Sequence, residues 1–485
     1  MKKLLLTLAL CLITSVGHCA LSSAMAWDVK TTGADTNGGC YDITNDGGTD
    51  YSQQDSAQLA VTDGATTGIG VTTFTSATGG FTSAMVDNCM QIVSGTNATA
   101  GTYEITAYTD TNTITLDRAP DDGVGGVASG VANVGGALLT IDKAFDYVTY
   151  SSRIHVESGT YSEAIVTPDI NTDKTQLITL EGYLTTHGDS PTGADRPTVD
   201  GTDSVITFIG EIEDLQIKNF IFTQSSGAGC YTANDSSSYN WQIHNSKFDN
   251  HAGAGLTAQG SNKQQTCIDC EFAINGGAGF GYNTGSYYCF NCHSHGNSGV
   301  GLEEVQTFNS IVENNTGDGI WLDRHVNVSD SLIYENSDGL DDGNIGYSNY
   351  IYDGNTIADN ASDGVEGSTW GSYPRTYINN IVYSNGAKAF NMSSGETRCI
   401  TRNNIVNGNG SGAGVTLHSS DITTDPLFTL EASDDYTVTS SSPALDAAMD
   451  AGESWKVDWK MNIGADQDSH AAGGAAATTS YGFSN

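Results

Sequence analysis

Apolar and polar positions in this chain follow a repeat from about Ile217 to Val415. A glycine stands directly before an apolar residue, and a second small residue usually lies two places earlier. The phrase reads Gly227-Ala228-Gly229-Cys230, Gly253-Ala254-Gly255-Leu256, Gly277-Ala278-Gly279-Phe280, Gly299-Val300-Gly301-Leu302 and Gly317-Asp318-Gly319-Ile320. It continues through Ser337-Asp338-Gly339-Leu340, Ser362-Asp363-Gly364-Val365, a degenerate Gly386-Ala387-Lys388-Ala389 and Gly412-Ala413-Gly414-Val415. Successive copies lie 18 to 26 residues apart, a period that belongs to solenoids. Each copy has a second anchor, at Asn219, Asn245, Asp269, Asn291, Asn309, Asp330, Asp353, Asn379 and Asn403. Mostly apolar or small residues lie two before and three after it. Asn and Asp tolerate a left-handed backbone and bond their own main chain, so the pattern predicts strand, tight turn, strand. Helical repeats of this length need ten or more residues of 3.6 periodicity, and 58 glycines leave no room for it. The strands must therefore stack coil on coil, in parallel, about a narrow apolar core. Gly319 and Gly339 mark strand starts of adjacent coils, where a left-handed or tightly apposed backbone is expected.

Over roughly residues 135–465 this repeat resembles the right-handed parallel β-helix superfamily, the pectin-lyase-like fold. The resemblance implies an all-β solenoid and says little about activity. The pattern 135–148, with Leu138, Ile141, Ala144, Phe145 and Val148 on one face, predicts a helix. Followed by the strand at Arg153-Ile154-His155-Val156, it resembles the N-terminal cap of such proteins. The solenoid is expected over 135–420. A closing segment over 421–466, carrying Asp425-Pro426-Leu427-Phe428 and Asp435-Tyr436-Thr437-Val438, resembles the family's tail. Residues 467–485 are too small and polar to pack and are expected to be disordered. Ahead of the solenoid, 27–134 lacks the repeat and reads as a small β-rich module, with strands at Met90–Val93, Tyr103–Ala107 and Thr111–Asp117. Residues 1–26 read as a secretory signal peptide: Lys2 and Lys3, an apolar run over Leu4–Val16, and Ala24-Met25-Ala26 before Trp27. A secreted protein follows, periplasmic, extracellular or at the cell surface.

Charge narrows the partners. The whole chain has 18 Lys and Arg and 57 Asp and Glu; residues 1–26 hold two of the lysines and no acid, leaving 16 − 57 = −41. Nucleic acid and anionic membrane are excluded as partners by the lack of clustered cations, and no apolar run is long enough for insertion. Cys267-x-x-Cys270 and Cys289-x-x-Cys292 have the look of a four-thiolate zinc site, but each member also lies 22 residues, one coil, from its counterpart. Adjacent strands are about 4.8 Å apart, within disulfide reach, so the links Cys267–Cys289 and Cys270–Cys292 are favoured in an exported chain. Cys230 and Cys399 are too far apart to pair.

If the first residue after each anchor glycine points inward, the second points out, in the row Tyr231, Thr257, Gly281, Glu303, Trp321, Asp341, Glu366, Phe390 and Thr416. Glu303, Trp321, Asp341 and Glu366 then occupy four consecutive rungs, with Asp323, Arg324 and His325 nearby. An exposed indole beside carboxylates suits a sugar ring, apolar face on the ring and hydroxyls on the acids. Trp321, Glu303 and His325 are the expected substrate-binding residues. Asp341 and Glu366, one rung apart, or Glu303 and Asp341, two rungs apart, are the expected acid and base of a glycosidase. Alternatively, Asp341, Asp342, Glu366 and Asp323 would hold Ca²⁺ on a uronate while Arg324 or Lys388 abstracts a proton, as in a polysaccharide lyase. Polygalacturonases are similar in Asp341-Asp342 but not in their other motifs: no Arg-Ile-Lys occurs, and Asn171-Thr172-Asp173 lies far from the pair. The competing class is a non-catalytic surface, adhesin or spike-like protein, whose acids form a solvated strip.

Overall fold

The computed structural model describes residues 21, 24–44, 47–168, 170, 177–201, 208–210, 212–232, 240–258, 264–282, 286–322, 327–343, 350–367, 375–392, 399–445, 447 and 464. The chain forms two compact units, Met1–Arg153 and Ile154–Asn485.

In the first unit a six-stranded antiparallel sheet encloses Phe74, Phe81, Met90, Ile92, Tyr103, Ile105, Ile114 and Val134. Its central strands, Cys89–Thr96 and Gly101–Asp110, extend the alternation legible at Met90 and Tyr103. A disulfide joins Cys40 to Cys89 with the Cα atoms 5.1 Å apart. Met25 and Ala26, on the near side of the expected cleavage point, begin the strand Met25–Val29, and both are buried. The expected helix over 135–148 is confined to Ile141–Phe145. Gly135 and Gly136 take positive φ (63° and 80°), which holds the preceding stretch out of the helix, and the Thr140 hydroxyl caps it by accepting from the Lys143 N–H.

The second unit is the solenoid. Each coil contributes one strand to each of three parallel sheets. One coil runs Gln264–Ile268, Glu271–Ala273, Phe280–Tyr282; the next runs Ser286–Phe290, His293–His295, Leu302–Glu303. Every strand pairs in parallel with the strand one coil later, as Cys267 with Cys289, Phe272 with Ser294 and Phe280 with Leu302. We name these sheets I, II and III in the order the chain visits them. Like positions stack along the axis: the rings of Phe222, Phe248 and Phe272 lie 5.4 Å apart at 11° and 12°.

Two turns bend each coil. The sheet I to II turn is set by the expected Asn/Asp anchors, with φ of 45–64° at Asn219, Asn245, Asp269, Asn291, Asn309, Asp330, Asn379 and Asn403. In one coil the anchor is Gly354 (φ 70°) and not Asp353, which still belongs to the strand Tyr350–Asp353. Behind these turns run polar ladders that the anchor pattern does not reveal. At the sheet II to III turn, His251, Asn275, Asn297, Asn315, Asn336, Asn360, Asn385 and Asn409 stack in consecutive coils. Each amide oxygen accepts the main-chain N–H of its counterpart one coil earlier, as from Asn297 (3.1 Å), Asn315 (3.1 Å) and Asn336 (3.0 Å). A second ladder at the sheet I to II turn runs Ser246, Cys270, Cys292, Ser310, Ser331, Asn355, Asn380, Asn404. Buried turns need such partners, because an unpaired main-chain amide away from water costs about as much as a lost hydrogen bond.

After the last coil, Ile422 bridges to Ile405, and the chain then folds back along the outer face of sheet II. Tyr436 packs on Leu332, Tyr334 and Ala358, and its hydroxyl donates to Asp359 Oδ2 at 2.7 Å. This strap explains why the later sheet II strands carry outward apolar residues such as Leu332, Ile381 and Ile405.

Candidate functional site

The outward row of sheet III forms as the alternation predicts. Glu303 pairs with Trp321, Trp321 with Asp341, and Asp341 with Glu366, so four consecutive rungs present these side chains on one face. The next member is Asn391, paired with Glu366; Phe390 is buried and points inward. Ala389, not Lys388, fills the anchor-glycine place in that coil, since the Val365 N–H bonds the Ala389 carbonyl. The degenerate phrase shifted the expected register there by one residue. Thr416 lies beyond the last strand of sheet III.

Trp321 leans toward the following coil. Its indole favours the charged form of the Asp341 carboxylate beside it, and a Cβ on Gly343 would come within 3.3 Å of Nε1. Glycine at 343 thus leaves room for the ring. In the coil of Glu303 only Glu304 and Val305 separate sheets III and I, so the connection beside this rung is shorter than in the other coils.

A parallel row, missed in the sequence, borders the first. Asp318, Asp338 and Asp363 stand just before the anchor glycines, and Lys388 follows them in the next coil. Asp338 Oδ1 accepts the Asp363 N–H (2.6 Å), and Asp363 Oδ1 accepts the Lys388 N–H (2.7 Å). These acids bind the main chain between coils. Lys388 Nζ donates to Asn391 Oδ1 (3.0 Å), and Asn391 in turn donates to Asp363 Oδ2 (2.9 Å). The signal in the sequence was the change from Ala or Val to Asp before the glycine in three successive copies.

Crowding of acids shifts their titration. Burial pushes the Asp341 carboxyl up to about 7, reinforced by the charges of Asp318, Glu366 and Asp338. Asp318 is raised to about 6 by burial and by Asp338, and Glu366 is raised by burial, then by Asp338 and Asp363. A carboxyl whose folded pKa is raised contributes stability that is full below its unfolded value, about 4, and is lost as pH climbs through the folded value. Asp341→Asn should therefore raise Tm at about pH 7.5 and leave it unchanged near pH 3.5, because there the wild-type carboxyl is already protonated. A Tm difference of equal size at both pH values would show that Asp341 ionises normally.

Two parts of the expected site change. Asp342 cannot join Asp341 on the outer face. The strand alternates, so Asp342 points into the solenoid, fully buried, where Oδ2 lies 2.6 Å from Arg375 Nε and accepts from the Tyr377 hydroxyl at 3.2 Å. Asp323, Arg324 and His325 lie outside the described residues. Among the described residues no three His, Cys, Asp or Glu side chains converge to hold a metal ion. Asp342 therefore leaves the expected Ca²⁺ set, whose members Asp341 and Glu366 stand side by side on the outer face.

No protein-family model matches this chain, and no curated protein matches it. Among solved structures it is similar to pectate lyase Pel9A (15% identity, TM-score 0.46, covering 68% of this chain and 91% of that one). It is also similar to the A-module of the Azotobacter vinelandii mannuronan C-5 epimerase AlgE6 (15%, 0.42, 56% and 91%) and to a rhamnogalacturonan lyase (14%, 0.40, 55% and 83%). Parallel strands joined by a crossover turn right-handedly, and three parallel sheets with in-register stacking at every described rung fix the rest. The chain is a right-handed parallel β-helix built on three parallel sheets.

Proposed function

We propose that this protein is an exported polysaccharide-binding β-helix that engages a glycan chain along the Glu303–Trp321–Asp341–Glu366 row and cleaves it by acid–base chemistry. The observation that carries this reading is the row itself: an indole flanked by carboxylates on successive rungs, one of them held near neutrality. Solved structures to which it is similar are named as a pectate lyase, a mannuronan C-5 epimerase and a rhamnogalacturonan lyase, in keeping with a glycan ligand. The Cys40–Cys89 disulfide favours an oxidising compartment outside the cytoplasm.

The chemistry follows from the electrostatics. Asp341, half-protonated near pH 7, suits the general acid that donates to a leaving glycosidic oxygen, and Glu366 suits the carboxylate that stabilises or attacks the anomeric centre. Their Cα atoms are one strand spacing apart, about 4.8 Å, which favours the close carboxyl pair of retaining hydrolysis over the wider inverting arrangement. Trp321 holds the sugar face, and Glu303 bonds hydroxyls on the neighbouring ring. The dense negative charge favours a neutral glycan over a polyuronate. In the lyase reading, Asp341 and Glu366 would share Ca²⁺ with a uronate and Lys388 would take the proton.

The test is a panel of neutral and uronate polysaccharides, scored for binding and for cleavage products, with Ca²⁺ and with EDTA. Trp321→Ala should weaken binding roughly 10- to 100-fold, as expected for losing one stacked aromatic surface. Asp341→Asn and Glu366→Gln should keep binding and lose cleavage. Unaltered binding by Trp321→Ala removes the row as the site. Tight binding without products by the wild type would establish the non-catalytic surface protein instead, and EDTA-sensitive release of unsaturated products would establish the lyase.

A further inference from the structure

Four of the six cysteines outside the Cys40–Cys89 disulfide sit in two adjacent coils, and they occupy the same two places in each. Cys267 and Cys289 are direct partners across sheet I, both pointing into the core and both fully buried. Cys270 and Cys292 succeed each other in the ladder behind the next turn, each 2% exposed. In the structure all four are thiols, arranged as a square. Cys267 is in side-chain contact with Cys270 and Cys289, and Cys292 with Cys270 and Cys289.

The neighbouring coils show that neither place requires sulfur. The ladder place is taken by Ser246 on one side and Ser310 on the other, whose hydroxyls accept the main-chain N–H of the preceding coil. The sheet place is taken by Ile243 before and Thr307 after. A thiol is a weaker hydrogen-bond partner than the serine it replaces. Sulfur at both places, and in the same two coils only, is accounted for by sulfur reacting with sulfur. Partners on adjacent parallel strands are about 4.8 Å apart at Cα, inside the range a disulfide spans. Four thiols this close could also bind a metal, so metal content is one of the outcomes tested below; in an exported chain disulfides are the better fit.

We propose that in the exported protein Cys267–Cys289 and Cys270–Cys292 are disulfides, a double covalent rivet joining two consecutive coils. Each bond forms by exchange with an external disulfide oxidant. One thiolate attacks a sulfur of the oxidant and expels a thiolate; the second cysteine then displaces the remaining sulfur. Two protons and two electrons leave per bond, and the oxidant becomes two thiols. Because the sulfurs are sealed in the folded core, exchange takes place before the 286–292 segment docks on the 264–270 segment. The rivet is written during folding, and afterwards resists reductant.

The experiment is peptide mapping of the exported full-length protein, unfolded in alkylating reagent without reduction. Cleavage before Asp269, after Phe280 and after Phe290 puts each of the four cysteines on its own peptide, so the partners are read unambiguously. The expected result is the one-coil links, absent after reduction, with the Cys270→Ser/Cys292→Ser variant retaining only Cys267–Cys289. Serine already serves in that ladder, so this variant keeps the fold. Oxidised wild type should melt roughly 5 °C or more above protein refolded with the thiols blocked. Full alkylation of all four thiols, links within a Cys-x-x-Cys pair, or stoichiometric zinc in the purified protein would each overturn the proposal.

Discussion

Asn336→Leu is expected to cost roughly 3–6 kcal/mol, enough to unfold much of the solenoid at ordinary temperature given typical domain stabilities. Leucine matches asparagine in size, so the loss is one of hydrogen bonding and not of volume. The Asn336 amide is 2% exposed. Its Nδ2 donates to the carbonyls of Tyr334 (2.8 Å) and Val312 (3.0 Å), while Oδ1 accepts from the Asn315 main-chain N–H (3.1 Å) and from the Asn315 amide (2.9 Å). Leucine leaves these groups buried without partners, at about 1–3 kcal/mol each before relaxation. The damage also spreads along the axis, because every ladder residue is both acceptor for the coil before it and donor to the coil after. Asn336→Ser should recover part of the loss, since Ser225 begins this same ladder against His251. Denaturant unfolding of the three proteins measures the series. A loss under about 1 kcal/mol for leucine would mean that water replaces the amide and that the ladder is not a stability element.

Gly339→Val is expected to be comparably severe, at about 3 kcal/mol or more. Gly339 does not have positive φ; of the two reasons expected for a glycine at this strand start, only tight apposition applies. A Cβ there would lie 2.5 Å from the Gly364 carbonyl oxygen, 2.5 Å from Ile357 Cγ2 and 2.9 Å from Asn360 Nδ2. The first is main chain of the next coil and cannot yield without parting the two coils, so alanine should already be destabilising. Gly319 faces the same obstacle, with the Gly339 oxygen at 2.7 Å. Gly68→Ala serves as control, since only Val71 Cγ2 comes within reach, at 4.0 Å, and its melting temperature should barely move. Equal stability of Gly339→Ala and wild type would mean the coils are spaced more loosely than the anchor glycines imply.

Both effects arise from the geometry that builds the glycan row. Anchor glycines let successive coils approach closely, and close approach puts Asp341 one strand spacing from both Trp321 and Glu366. The proximity that raises the Asp341 pKa is thus a consequence of the fold's repeat. The same repeat supplies a plain structural role for part of the acidity, since Asp338 and Asp363 hold main-chain amides of the next coil.

By itself the sequence determined the solenoid, its period, the left-handed Asn and Asp turns, and the four-rung row, because each is a local rule repeated at fixed spacing: period-two alternation, αL tolerance, and glycine at a close approach. Where the local rule weakened, the reading slipped by one residue, at Gly354 and at Asn391. Asp342 illustrates a second limit. Alternation already placed it opposite in direction to Asp341, but that an acid would be buried there depended on Arg375 and Tyr377 arriving on the sheet I strand two coils later. Only the tertiary structure decided what depends on partners remote in the chain: the asparagine ladders, whose members are 18 to 25 residues apart, the Cys40–Cys89 bond, and the strap of Tyr436 across sheet II. Such contacts are settled by which surfaces remain uncovered once the coils have stacked, and no local spacing encodes that.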